Sequence, residues 1–76
     1  MPKVKAPELI RFGENVRKRR EEQEWTQEQL AEKADLDQTF ISGIERGTRN
    51  PTIITITKLS KALKFSVSNL CEGIGR

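Results

Sequence analysis

From Thr26 to Pro51 the sequence carries a helix start, a stop, a second start and a second stop, so closely spaced that only short helices joined by tight turns satisfy them all. Thr26 precedes Gln29 by three residues, the spacing at which the hydroxyl takes the Gln29 backbone N–H while the Gln29 side chain reaches back to the Thr26 backbone N–H. A helix is therefore predicted from Gln27 through Leu30, Ala31 and Ala34. It meets Asp35-Leu36-Asp37, where Asp35 suits a left-handed conformation and Asp37 an N-cap. A further helix follows from Gln38, with Phe40, Ile41 and Ile44 three and four apart. Gly47 then supplies a left-handed terminator, and Asn50-Pro51 places the chain in a loop.

The 27–46 segment thus reads as two helices across a three-residue turn. Small Ala31 sits where the helices cross, and Leu30, Ala34, Leu36, Ile41 and Ile44 face inward. Gln38, Thr39 and Ser42 are left polar and outward, as a major-groove reader requires.

The flanks are helical as well. Leu9, Phe12 and Val16 share one helix face between Pro7 and Gln23, and Gly13 inside that helix hints at close approach by another backbone. Thr52-Ile53-Ile54-Thr55-Ile56-Thr57 favours a strand on propensity alone. Yet Thr52 can cap, no second strand is present to pair with it, and Ile53, Ile56, Leu59 and Leu63 continue a helical stripe with Ala62, so a helix over 53–63 is predicted. Ser66 caps a short last helix from Val67 to about Glu72, closed by Gly73. The expectation is an all-α, compact five-helix domain over residues 8–76, preceded by a basic, proline-bounded arm over residues 1–7.

Composition removes several function classes. With 76 residues, a chain of this size buries only about 60–65% of the surface that it exposes when unfolded, which disfavours a large enclosed cofactor cavity. One Cys and no His supply neither an internal disulfide nor the usual zinc ligand sets. The familiar nucleophilic dyads cannot be built, and the many glutamates sit at the surface spacing of amphipathic helices, so neither catalysis nor a cofactor or metal is expected. The absence of a membrane-span-length apolar stretch and of a signal-peptide core gives a cytoplasmic expectation.

The net charge of +3 is unevenly placed: after Gln38 the chain has six basic and two acidic residues. Such concentration suits the approach of a polyanion's backbone, although Lys58, Lys61 and Lys64 read as ordinary solubilising lysines.

Several of these segments together resemble a known family: Phe12-Gly13-Glu14-Asn15-Val16-Arg17, Trp25-Thr26-Gln27-Glu28-Gln29-Leu30-Ala31, Ile41-Ser42-Gly43-Ile44-Glu45-Arg46-Gly47, and Arg49-Asn50-Pro51-Thr52. The sequence is similar over about residues 9–72 to the Cro/CI-type (Xre-like) helix-turn-helix regulators, whose fold is lambda-repressor-like. The run from Thr39 to Gly47, with Arg49-Asn50, looks most like the short controller proteins of restriction-modification systems.

The resemblance implies a homodimeric transcription regulator that reads double-stranded DNA at a two-fold symmetric operator. It assigns Gln38 and Thr39 to base edges, with Phe40 and Ser42 as secondary readers; Gln pairs bidentately with adenine, and Thr meets a thymine methyl. Gln27 would touch a phosphate and brace Gln38, while Arg46, Arg49, Asn50 and Arg17 hold phosphates. Arg20 and Glu45 look like the family's ion pair joining the first and third helices. Phe40 also reads as a core aromatic, Gln27 as a plain first-turn residue, and Arg46 as a cation favoured by the helix dipole.

Two residues depart from the family pattern, Glu24 and Asp35, each standing where a Gly is usual. For the dimer surface, Val67, Leu70, Ile74 and Phe65 are nominated, with a satellite core under the fourth helix as the competing reading. Cys71 reads as a small buried hydrophobe. An antitoxin-like or adaptor protein, whose main partner is another protein, is the alternative function.

Overall fold

The computed structural model describes residues 6–75, so most of the N-terminal arm lies outside the described residues. Five helices follow one another: α1 (Pro7–Glu22), α2 (Gln27–Ala34), α3 (Gln38–Arg46), α4 (Ile53–Leu63) and α5 (Val67–Leu70). No strand occurs among the described residues.

The start and stop signals work as the sequence chemistry predicts. At Thr26 both halves of the capping box form: Thr26 Oγ1 accepts from the Gln29 N–H at 3.1 Å, and the Thr26 N–H donates to Gln29 Oε1 at 2.8 Å. The Asp37 carboxylate accepts from the N–H groups of Thr39 and Phe40, and Thr52 and Ser66 cap α4 and α5 in the same way. Gly47 ends α3 in the left-handed region at φ 76°.

The first three helices wrap Phe12, Val16, Leu30, Ala31, Ala34, Ile41 and Ile44, and α4 and α5 close the core with Leu59, Leu63 and Leu70. Leu36 pins the α2–α3 turn against this cluster, its N–H bonded to the Ala31 carbonyl at 2.9 Å. Gly13 is the close-approach point between α1 and α3. A methyl group there would be driven into the Ile44 carbonyl oxygen and lie 2.8 Å from that of Glu45, and neither backbone can yield.

Two expectations need correcting. The helical stripe of α4 is buried only at Leu59 and Leu63, with Ile56 partly covered by the core, whereas Ile53 at the first position of the helix faces solvent, 68% exposed. The last helix stops at Leu70 rather than near Glu72, since Cys71 leaves helical geometry and the chain turns through Gly73 at φ 86°.

Candidate nucleic-acid interface

The outer side of α3 forms a polar surface whose members differ in how free they are. Gln38 and Thr39 lie in the first turn, exposed, with no side-chain hydrogen bond among the described residues. Their backbone is fixed by the Asp37 cap at 2.9 Å, so two unengaged polar side chains project from a rigid base. Ser42, one turn on, is half-buried, and its hydroxyl accepts from the Arg46 guanidinium.

Phe40 takes its core reading in part. It is half-buried against the central cluster, and its other side is covered by Arg49, whose guanidinium carbon lies 5.8 Å from the ring centre. Arg49 reaches that ring by crossing Gly43, where a methyl group would stand 2.5 Å from Arg49 Cγ. The contact was not foreseen from the sequence. Its only signal is a glycine inside a helix, at a position where alanine is about 1 kcal/mol more favourable.

Arg46 and Arg49 are exposed on either side of Gly47, and Asn50 follows, exposed and without a hydrogen-bond partner among the described residues. Arg17 is exposed on α1 and paired with Glu21 at 3.3 Å. In the DNA-free chain the Gln27 amide is held by the ion pair rather than by Gln38: its Nε2 donates to Glu45 Oε1 at 3.1 Å, a charged acceptor.

That carboxylate anchors the surface. Arg20 Nε and Nη2 donate to the two Glu45 oxygens at 2.7 and 2.9 Å, and Arg20 Nη1 donates to the Trp25 carbonyl at 2.6 Å. The pair is nearly dry, with 11% and 3% of the two side chains exposed. The hydrogen bonds to Glu45 raise the Arg20 pKa, burial opposes them, and the charges of Glu45 and then Glu21 add to the rise. The ends of α1, α2 and α3 are thereby locked together under the outward face.

Among the nominated dimer residues, Leu70 is fully buried, at 0% exposure, and belongs to the core. The one-turn α5 has room for one inward knob, and Leu70 fills it. Phe65, Val67 and Ile74 stay half-exposed. The sequence reading passed over Ile54, which is 67% exposed beside Ile53. Its signal was the uninterrupted apolar pair: a helix stripe has no use for both.

A helix-turn-helix family profile matches residues 16–70, which span the capping box, the turn and the whole outward face. The chain belongs to the helix-turn-helix family. Its relatives in that family include the control protein C.BamHI of Bacillus amyloliquefaciens, 45% identical over 62 residues that make up 80% of this chain and 76% of that protein. The structure is similar to that of the restriction-modification controller protein C.AhdI from Aeromonas hydrophila, with TM-score 0.83, 35% identity, and coverage of 86% of this chain and 98% of that one. It is also similar to the controller protein C.Esp1396I, seen as a tetramer in complex with its natural 35 base-pair operator (TM-score 0.80, 40% identity, 88% of each chain covered). The Cro/CI-type resemblance and the five-helix fold thus hold. No helix among the described residues is long and apolar enough to cross a membrane.

Proposed function

We propose that this protein is a sequence-specific, DNA-binding transcriptional regulator of the restriction-modification controller type, acting as a homodimer on a two-fold symmetric operator. The observation that carries the reading is the exposed, unengaged Gln38 and Thr39 pair at the capped start of α3, on a helix held from behind by a buried ion pair. A rigid helix with free hydrogen-bonding side chains in its first turn is what major-groove readout needs. Arg46, Arg49 and Asn50 supply phosphate contacts at the other end of α3, and C.Esp1396I, a relative of the same fold, was captured on its operator.

Within this reading Phe40 and Ser42 support the groove contacts, Phe40 by carrying Arg49 and Ser42 by carrying Arg46. Gln27 keeps its amide on Glu45 and offers its carbonyl side and the N-terminus of α2 toward the backbone. Arg17 is the outlying member. One α3 of nine residues reads few base pairs, so specificity requires two half-sites about one helical turn apart. The partner surface combines Ile53 and Ile54 of α4 with Phe65, Val67 and Ile74 around α5.

The test is selection of bound duplexes from a random pool at two salt concentrations, followed by substitution. A two-fold symmetric site should be enriched; Gln38→Ala and Thr39→Ala should each relax preference at one position by about 1–3 kcal/mol, whereas Arg49→Ala should weaken all sequences alike and reduce the salt slope by about one. Binding without enrichment, lost steeply with salt, would overturn the reading and move the search to a protein partner.

A further inference from the structure

Helix α1 does more than contribute one side of the core. Arg11, Asn15 and Arg19 stand four residues apart on one stripe, and each donates to a backbone carbonyl near the C-terminal end of the fold. Arg11 Nε bonds the Glu72 carbonyl at 3.0 Å; Asn15 Nδ2 bonds the carbonyls of Leu70 and Glu72 at 2.8 and 2.9 Å; Arg19 Nε bonds the Leu63 carbonyl at 3.2 Å. The Arg19 guanidinium also lies 4.7 Å from the centre of the Phe65 ring. The Leu63 and Leu70 carbonyls are among those that the last turn of a helix leaves without an internal partner, and the Glu72 carbonyl lies in the turn that follows α5.

The arrangement is needed because α5 is a single turn of four residues, too short to hold its own direction. Its attitude is set from outside, by donors on α1. On another side of α1, Gly13 lies against the carbonyls of Ile44 and Glu45, and Arg20 grips the Glu45 carboxylate. One straight helix is therefore bonded to the reading helix on one side and to the ends of α4 and α5 on another.

We infer that Asn15, supported by Arg11 and Arg19, is a positioning residue that fixes the dimer surface at a set angle to α3 and so determines the half-site spacing that the dimer accepts. The inference rests on the homodimer reading above. None of the three residues needs to touch DNA. Each base pair added between half-sites rotates one relative to the other by about 35° and shifts it along the axis, so a rigid dimer tolerates one spacing and a loosely jointed one tolerates several.

The experiment uses the full chain and the selected operator, with the central spacer lengthened or shortened by one and two base pairs, and a duplex carrying a single half-site as a second probe. Wild type should lose about tenfold or more in affinity when the spacer changes. Asn15→Ala, and Asn15→Asp, which keeps the shape but removes the donor, should reduce that penalty to about threefold while leaving single half-site affinity within about twofold. Glu14→Ala, one residue away and exposed, should keep the sharp wild-type profile. A merely structural loss would lower both affinities together and leave the spacing ratio unmoved. If Asn15→Ala does not fold, Arg19→Met decides by the same profile, since it keeps the stem over Phe65 and removes the donor to Leu63. A sharp profile in the folded variants, or a flat profile in wild type, overturns the inference alone; a full operator bound by wild type no more tightly than the single half-site overturns the homodimer reading with it.

Discussion

Arg20 shows how much a single side chain carries here. Its guanidinium is taken out of water, 9% exposed for the residue as a whole, and its donors go to Glu45 and to the Trp25 carbonyl. Removing one partner of such a pair leaves an uncompensated buried charge, which costs about 3–5 kcal/mol. A domain of this size rarely has more than about 3–5 kcal/mol in total, so Glu45→Ala should be largely unfolded at room temperature by circular dichroism. Arg20→Met with Glu45→Leu should regain most of the helical signal, because an apolar pair of similar volume carries no desolvation penalty. Recovery no better than the single variant would show that the pair's geometry, not its charge balance, holds α1 to α3. The raised Arg20 pKa sets the pH behaviour: its contribution is complete below the unfolded pKa and fades only as pH rises through the higher folded value, in strongly alkaline solution. Urea titrations at pH 6 and pH 8 should therefore report the same Arg20 contribution.

At the scale of elements, three non-glycine residues among those described turn the chain's corners in the left-handed region: Glu24 at φ 59°, Asp35 at φ 55° and Lys64 at φ 51°. Asp35 was legible in the sequence, because Asp tolerates this region and Asp37 two residues on announces the next helix. Glu24 was legible as a departure from a Gly, and the structure keeps the left-handed turn that a Gly would have taken. Lys64 was not legible, since lysine has no preference for turns and only the end of the apolar stripe marked the place. Relieving the left-handed strain gains about 1–2 kcal/mol, and the greater freedom of an unfolded glycine returns about 0.4–1 kcal/mol of it. Glu24→Gly should thus stabilise by about 0.5–1 kcal/mol in urea unfolding, and Asp35→Gly by less; no gain, or a loss, at Glu24 would mean that the Glu24 turn is unstrained, and equal gains that Asp35 fits its turn no better than Glu24 does. The β-branched run was legible only as a conflict. Thr52 resolves it, its hydroxyl accepting from the Thr55 N–H at 3.2 Å to start α4 where propensity pointed to a strand.

For the whole molecule, the caps, glycines and apolar spacing of 26–51 specified the helix-turn-helix, because each of those signals acts within a few residues of itself. What reading the sequence missed depends on packing between distant segments: Arg49 lying over Gly43 on Phe40, Gln27 turned to Glu45, and Leu70 drawn inward as the sole knob of α5. The residues nominated for a dimer surface are the clearest instance. Leu70 had the right chemistry and the wrong direction, while Ile53, read as part of the α4 stripe, and Ile54, passed over, are about two-thirds open to water. Burying an isoleucine is worth about 1.5–3 kcal/mol, and a two-fold contact counts each substitution twice, so Ile54→Glu should raise the dimer dissociation constant by about a hundredfold or more in sedimentation equilibrium. The monomer should not suffer. Position 54 is the second residue of α4, where an acidic side chain meets the positive end of the helix dipole and adds about 0.3–1 kcal/mol. The variant should therefore melt no lower than wild type under monomeric conditions while binding a single half-site normally and a full operator weakly. An Ile54→Glu protein that dimerises as well as wild type would move the partner surface off α4 and leave Phe65, Val67 and Ile74 to carry it. If the dimer forms through this proposed surface, its association should be weak and its control set by concentration, so a wild-type dimer that persists at picomolar protein would overturn that prediction.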